Sequence, residues 1–187
     1  MQHSNTLLET ERLRIREFTL DDVDNLLDIN SDPRVLKYID PTRTTSREHE
    51  IEEVGRMQEE YRNTPGLGVW AVEEKSSGKF SGLILLRTLY DTGEYEIGFR
   101  TTPPNWGRGF ATEVLRAVLA YGFKHIDAPV IVGFTMPGNL ASQRVLLKAG
   151  MHYMGHRTLP ECADTWPVLE YFRMTRADYF ARLQHKD

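Results

Sequence analysis

A chain of 187 residues, 40% of them hydrophobic, can bury one substantial core and is read as a single domain over 1–187, with a polar leader over 1–9. The net charge of −4 lacks the basic footprint that phosphate-backbone binding leaves, so no nucleic-acid partner is expected. One cysteine, Cys162, excludes an intrachain disulfide and a cysteine-rich zinc site. With neither a signal-peptide pattern nor an apolar run of roughly 20 residues, no membrane partner and a cytoplasmic setting are expected.

Leu13 and Ile15 alternate with Arg12, Arg14 and Arg16, which predicts a first strand with one buried face. Thr19 stands three residues before Asp22 and heads a short helix carrying Val23, Leu26, Leu27 and Ile29, stopped before Pro33. Residues 30–44 read as loop, with Leu36, Tyr38 and Ile39 available to pack. Thr45 and Glu48 form a capping box for a second helix, in which Ile51, Val54, Met57 or Gln58, and Tyr61 keep helical spacing. Its many charges read as a solvated face.

From Gly68 the pattern turns to antiparallel sheet: Val69 to Val72, a turn at Ser76-Ser77-Gly78-Lys79, then Phe80 to Tyr90. Asp91-Thr92-Gly93 supplies the next turn and Glu94 to Thr101 the next strand. Tyr95, Ile97 and Phe99 share one face of it; Glu94, Glu96, Gly98 and Arg100 share the other. Gly98 inside the strand suggests a bulge or a closely approaching ligand.

Pro103-Pro104-Asn105-Trp106-Gly107-Arg108-Gly109-Phe110-Ala111-Thr112-Glu113 then runs through two glycines into an amphipathic helix carrying Val114, Leu115, Val118, Leu119 and Phe123. Glycines where the backbone must turn, followed by a helix N-terminus with unpaired N–H groups, make an anion cradle. Glu113 is awkward beside a pyrophosphate, so its side chain is expected to bond locally. Val130 to Thr135 reads as a short buried strand, and Asn139 caps a helix from Leu140 to Ala149 with Gly150 just past its end. Strands near 151–157 and 168–175 follow, and Thr175 caps a terminal helix with Tyr179, Phe180 and Leu183 inward. The order amounts to an α+β fold: a mixed, mostly antiparallel sheet of about seven strands with about four helices.

Three guests compete for the cradle. A Walker loop requires a lysine after the second glycine, and none follows Gly109; a dinucleotide fingerprint requires a third glycine where Thr112 stands. The third guest is acyl-coenzyme A. Glu96-Ile97-Gly98-Phe99, then Gly107-Arg108-Gly109, then Asn139-Leu140-Ala141-Ser142 about 30 residues on, resemble the GNAT superfamily of N-acetyltransferases. The likeness covers nearly the whole chain and is nearest to the ribosomal-protein N-terminal acetyltransferases: Glu9-Thr10-Glu11-Arg12-Leu13 is similar to that subgroup's opening, and Gly68 to Val72 to its second strand.

The resemblance implies acetyl-CoA as acyl donor and direct transfer to an amine-bearing acceptor. The sheet would splay between the fourth predicted strand, Glu94 to Thr101, and the fifth, Val130 to Thr135, leaving the main chains of Phe99, Arg100 and Thr101 for pantetheine. By position, the amides of Gly107, Arg108, Gly109, Phe110, Ala111 and Thr112 take the phosphates. Pro104 stands where the family writes Gln or Arg, and the Arg108 side chain offers a charge-assisted contact. Asn139 and Ser142 match positions near the pantetheine arm and sulfur, a role compatible with capping.

Amine acetylation needs a neutral nucleophile, a stabilised oxyanion and a proton for the thiolate. Glu96 is the first candidate base and reads equally as a solvent-facing carboxylate; Glu94 is second. Many members place a tyrosine acid where this chain has Leu146, so Ser142 is the candidate proton source. Cys162, near Glu161 and Asp164, reads as an ordinary loop cysteine. The histidines lack ligand spacing, so no metal is expected. Trp106 reads as packing or as a cover for the cofactor, and Trp166 as part of an acceptor loop. The acceptor stays open between a protein N-terminus and a small-molecule amine, beside a non-catalytic acyl-CoA sensor. Edge strands leave room for a homodimer.

Overall fold

A computed structural model describes residues 5–89, 92–159 and 167–184. Asp91 of the second turn, Cys162, Glu161, Asp164 and Trp166, and the tail histidines His3 and His185, lie outside the described residues. Eight strands, β1 (Thr6–Glu9), β2 (Leu13–Arg16), β3 (Gly68–Glu74), β4 (Lys79–Thr88), β5 (Tyr95–Thr101), β6 (Val130–Thr135), β7 (His152–Arg157) and β8 (Leu169–Thr175), form a mixed, mostly antiparallel sheet flanked by helices, hydrogen-bonded in the order β1-β2-β3-β4-β5-β6-β8-β7. The chain divides into two compact units, Met1–Leu85 with Phe99–Val114, and Leu86–Gly98 with Leu115–Asp187.

In the first unit, β2 (Leu13–Arg16) buries Leu13 and Ile15 completely and turns its arginines the other way. Arg14 and Arg16 both reach Glu73 on β3 (Gly68–Glu74), and Arg16 makes a two-pronged pair with Asp22 at 2.8 Å on each prong. The eighth strand is β1 (Thr6–Glu9), formed inside the supposed leader and paired antiparallel with β2. Thr-Leu-Leu-Glu has no alternation of its own, so its strand character comes from its partner.

Thr19 and Asp22 do meet at a helical start, the Thr19 N–H donating to the Asp22 carboxylate at 3.0 Å, ahead of α1 (Val23–Ser31). The stretch read as loop contains α2 (Pro33–Leu36), capped by Asp32 and burying Val35 and Leu36. The cap of α3 (Arg47–Asn63) is Ser46, whose hydroxyl accepts from His49 N–H; the Thr45 hydroxyl donates to Glu50 instead. This rotates the buried face: Glu50 and Val54 point inward, and Ile51 is 43% exposed. Phe18, Val23, Leu26, Val54, Ala71 and Leu83 close the core over β3 and β4 (Lys79–Thr88).

In the second unit, β6 (Val130–Thr135) pairs along its whole length with β8 (Leu169–Thr175), which also carries β7 (His152–Arg157). On its other edge β6 is parallel to β5 (Tyr95–Thr101), with register partners only at Tyr95–Ile131 and Glu96–Val132. The helix α4 (Phe110–Lys124) begins in the first unit and continues here. Gly122 lets it lie close to β6, since a Cβ there would come within 2.7 Å of Ile131 Cδ1. Helix α5 (Leu140–Ala149) ends at Gly150 with φ of 104°, the left-handed position that glycine fills. Thr175 and Asp178 cap α6 (Arg176–Gln184) by reciprocal hydrogen bonds; Tyr179 stacks on Phe123, whereas Leu183 is exposed rather than inward. No described helix is long and apolar enough to cross a membrane.

Candidate active site and cofactor-binding residues

The cradle has the backbone its sequence calls for. After a short 3-10 turn at Pro103–Asn105, Gly107 and Gly109 take φ of 74° and 81° and α4 starts at Phe110. Both glycines occupy the left-handed region that an L side chain enters at a cost of about 1–2 kcal/mol. The first intrahelical bond runs from Glu113 N–H to Gly109 C=O, at 3.0 Å. The N–H groups of Phe110, Ala111 and Thr112 thus precede any intrahelical partner, and they make no hydrogen bond among the described residues. Three donors at the positive end of a 15-residue helix fit a phosphate group.

The Arg108 side chain is already engaged: its guanidinium bonds Asn105 Oδ1 at 2.6 Å, pairs with Glu74, and lies 4.3 Å from the centre of the Phe110 ring. Glu113 does bond locally. Its carboxylate accepts from Thr10 Oγ1 (2.6 Å), Arg12 N–H (3.0 Å) and Arg12 Nε (2.7 Å), and pairs with Arg12 Nη2 at 2.6 Å. Burial pushes this carboxyl up, but the hydrogen bonds from Thr10 and Arg12 outweigh it and hold it below the usual range. Arg12 also donates from Nη1 to the Arg108 carbonyl at 3.0 Å, tying the loop between the two glycines.

Strand β5 leads into the cradle, and the direction of its main-chain groups can be read residue by residue. Thr102 N–H donates to Ser81 C=O on β4, and a Cβ on Gly82 would lie 2.1 Å from the Arg100 carbonyl oxygen. Even-numbered residues therefore turn their main chains toward β4, and alternation turns those of Phe99 and Thr101 toward the opposite edge. Arg100 is thus set apart from its two neighbours. The Thr101 carbonyl has a partner already: it accepts from Trp106 Nε1 at 2.9 Å, from a ring that is 48% exposed.

The Arg100 side chain belongs to a buried polar cluster absent from the sequence expectations. It donates to Asn30 Oδ1; Asn30 Nδ2 donates to Glu50 Oε1 at 2.8 Å, and Thr45 adds a second donor to the same oxygen at 2.6 Å. Burial pulls the Arg100 guanidinium down to about 10, with the charge of Arg43 acting in the same sense and that of Glu50 opposing. A helical glutamate and a strand arginine fifty residues apart carry no local signature. The one available clue is the polar Asn30, placed at the end of an otherwise amphipathic helix.

The remaining candidates lie in the second unit. Glu96 accepts from Arg87 Nε (2.8 Å) and pairs with Arg87 Nη2 (2.7 Å), both through Oε2, so Oε1 stays open. Glu94 pairs with Arg157 at 2.6 Å and receives the Tyr171 hydroxyl at 3.4 Å; these bonds outweigh burial and leave its carboxyl below the usual range. Asn139 caps α5, its Oδ1 accepting from Ser142 N–H at 3.2 Å. The Ser142 hydroxyl is half-buried and has no partner among the described residues. Leu146 is 1% exposed and packs where a Cβ on Gly133 would come within 3.0 Å of it, an apolar setting with no phenol. No group of His, Cys, Asp and Glu that could hold a metal occurs among the described residues.

The acetyltransferase (GNAT) domain family matches residues 12–152. An uncharacterised N-acetyltransferase of Bacillus subtilis strain 168, YoaA, is 30% identical over 150 residues, covering 80% of this chain and 84% of the relative. A GNAT-family acetyltransferase from Bacillus anthracis is 27% identical with a TM-score of 0.77, covering 91% of this chain and 98% of its own. The ribosomal-protein-S5-alanine acetyltransferase of Vibrio fischeri shares the fold at 17% identity and a TM-score of 0.76, covering 95% of this chain and 99% of its own. The chain belongs to the GNAT family of acetyltransferases.

Proposed function

We propose that the chain is an acetyl-CoA-dependent N-acetyltransferase that passes the acetyl group directly to a primary amine, the α-amine of a protein N-terminus. The observation that carries the donor is the cradle: two left-handed glycines opening onto the unpaired N–H groups of Phe110, Ala111 and Thr112. When bound, acetyl-CoA supplies an activated thioester; the chain's own residues hold it and move protons. The amides from Gly107 to Thr112 bind the pyrophosphate, and Phe99 and Thr101 offer the pantetheine arm the main-chain groups turned away from β4. The Arg100 main chain, turned to β4, is left out of this role.

Glu96, oriented by Arg87 with Oε1 open, takes a proton from the acceptor ammonium through water. Ser142, with a hydroxyl unpaired at the α5 cap, relays to the departing sulfur the proton that the attacking nitrogen sheds as it becomes an amide, so the hydroxyl is restored in the same step. Asn139 shapes that cap and approaches the pantetheine arm. An α-amine has a pKa of about 8, against about 10.4 for lysine, so a protein terminus as acceptor asks less of the base. The ribosomal-protein acetyltransferase among the fold neighbours supports the same choice by likeness of fold.

The test is thiol release from acetyl-CoA in the presence of peptides with free or blocked α-amines, a polyamine and an aminoglycoside. Release confined to free α-amine peptides is expected. Turnover on the small amines alone moves the acceptor to that class. Tight acetyl-CoA binding without release on any amine replaces the enzyme reading with an acyl-CoA sensor, which the apolar place of Leu146 would then explain.

A further inference from the structure

We infer that Arg12, with Thr10 beside it, is a positioning residue for the donor pyrophosphate, acting by cancelling the charge of Glu113; this rests on the acetyl-CoA reading above. Glu113 is in the first turn of α4, the turn whose N–H groups face the anion site, and its side chain is only 20% exposed. A carboxylate there suits the helix dipole while the site is empty and opposes a pyrophosphate when it is filled. The same guanidinium that covers this carboxylate through Nε and Nη2 also holds the Arg108 carbonyl through Nη1. It lies 4.7 Å from the centre of the buried Phe110 ring, and a Cβ on Gly109 would come within 3.5 Å of its Nη2. Thr10 and the Arg12 N–H give two further donors, so the carboxylate is neutralised from the β1–β2 turn and held away from solvent.

Arg12 therefore joins two tasks that would otherwise oppose each other. The glutamate can serve as a first-turn helix residue, and the helix end can still receive an anion. Arg108, by contrast, is committed to Glu74 and Asn105, so the guanidinium that follows the first glycine is not the one that compensates Glu113.

The experiment is calorimetric titration of the full chain with acetyl-CoA, without acceptor, on wild type, Arg12→Ala, Arg12→Gln, Glu113→Gln and the double variant Arg12→Ala/Glu113→Gln, each checked by thermal unfolding. Arg12→Ala should weaken acetyl-CoA about thirtyfold, equivalent to about 2 kcal/mol. Arg12→Gln, which keeps hydrogen-bonding capacity without the charge, should weaken it nearly as much and serves if the alanine variant fails to fold. Glu113→Gln should bind at least as tightly as wild type. The double variant should return to within about threefold of wild type, a rescue that a merely structural brace would not give. In turnover, the loss should fall on KM for acetyl-CoA and not on kcat. Wild-type affinity in both Arg12 variants overturns the inference, as does a double variant as weak as Arg12→Ala. A wild type that does not bind acetyl-CoA overturns the donor reading itself, and the inference with it.

Discussion

Gly82 offers the sharpest test of how β5 is seated. It lies on β4 with φ of 146°, and a methyl group there would stand 2.1 Å from the Arg100 carbonyl oxygen and 2.8 Å from Thr101 Cα. Both are main-chain atoms, so no side chain can swing aside; the two strands must part. Gly78, in the turn before β4, also has a positive φ, 67°, but nothing lies within 4 Å of its added Cβ. Gly82→Ala and Gly78→Ala share the strain of a left-handed residue, about 1–3 kcal/mol, and the offsetting gain from a stiffer unfolded chain, about 0.4–1 kcal/mol. Only Gly82→Ala adds the overlap, worth about 1–3 kcal/mol where packing is forced apart.

The difference between the two variants thus isolates the close approach of β4 and β5. At about 2–4 °C per kcal/mol for a chain of this size, Gly82→Ala should melt about 2–12 °C below Gly78→Ala, centred near 6 °C. Because the displaced atoms belong to Arg100 and Thr101, the same variant should also lose acetyl-CoA affinity, and Gly78→Ala should not. Differential scanning calorimetry and titration with acetyl-CoA read both effects. Equal melting temperatures for the two alanine variants would refute the claim that the even-numbered main chain of β5 is pressed on β4.

Asp22 gives a pH prediction. Burial pushes its carboxyl up, but hydrogen bonds from Arg16 and the Thr19 N–H prevail and hold it below the usual range. A depressed folded pKa contributes stability that is fully present above the unfolded value near 3.9 and is lost as pH falls from there through the lower folded value. Asp22→Asn should cost about 3 kcal/mol at pH 7, as breaking a buried pair does, and flatten the loss of stability between pH 5 and 3; an unchanged slope in urea unfolding at those pH values rejects the pair as its source. Trp106→Phe tests the Thr101 carbonyl: acetyl-CoA should alter wild-type tryptophan emission by drawing the half-exposed indole off that oxygen, and the variant should lose the change. The same emission change in both would assign it to another tryptophan. Glu96→Gln should lose turnover most below pH 8, where the acceptor amine is protonated, and a rate profile parallel to wild type would remove Glu96 as base.

What the sequence disclosed, and what it withheld, follows from the range of the interactions involved. The turn at Gly107 and Gly109, the Gly150 terminus, the Thr175 cap and the buried Leu13 and Ile15 are set by local sterics and period, and all are found where the residues indicated. The cap of α3 falls at Ser46, one residue beyond Thr45, because Thr44-Thr45-Ser46 offers three hydroxyls in a row and Glu50 draws Thr45 inward. Glu50 itself, read as part of a charged face, is buried by contacts with Asn30 and Thr45, which no helical periodicity reports. The close main-chain approach at Gly82 carries no signal in the residue pattern of β4. That approach depends on register between strands, a quantity absent from either strand alone.

The tie between Thr10, Arg12 and Glu113 joins residues about a hundred positions apart in one compact unit. Closing so long a loop is entropically costly and slow compared with forming α4 or a single hairpin. The glycine turn and its helix can therefore assemble early in folding while their charge balance waits for β1 and β2 to dock. A chain whose first strands are still undocked would carry an uncompensated carboxylate at the helix end and hold its donor weakly, so competence to bind acetyl-CoA reports on completion of the fold as well as on the integrity of the loop.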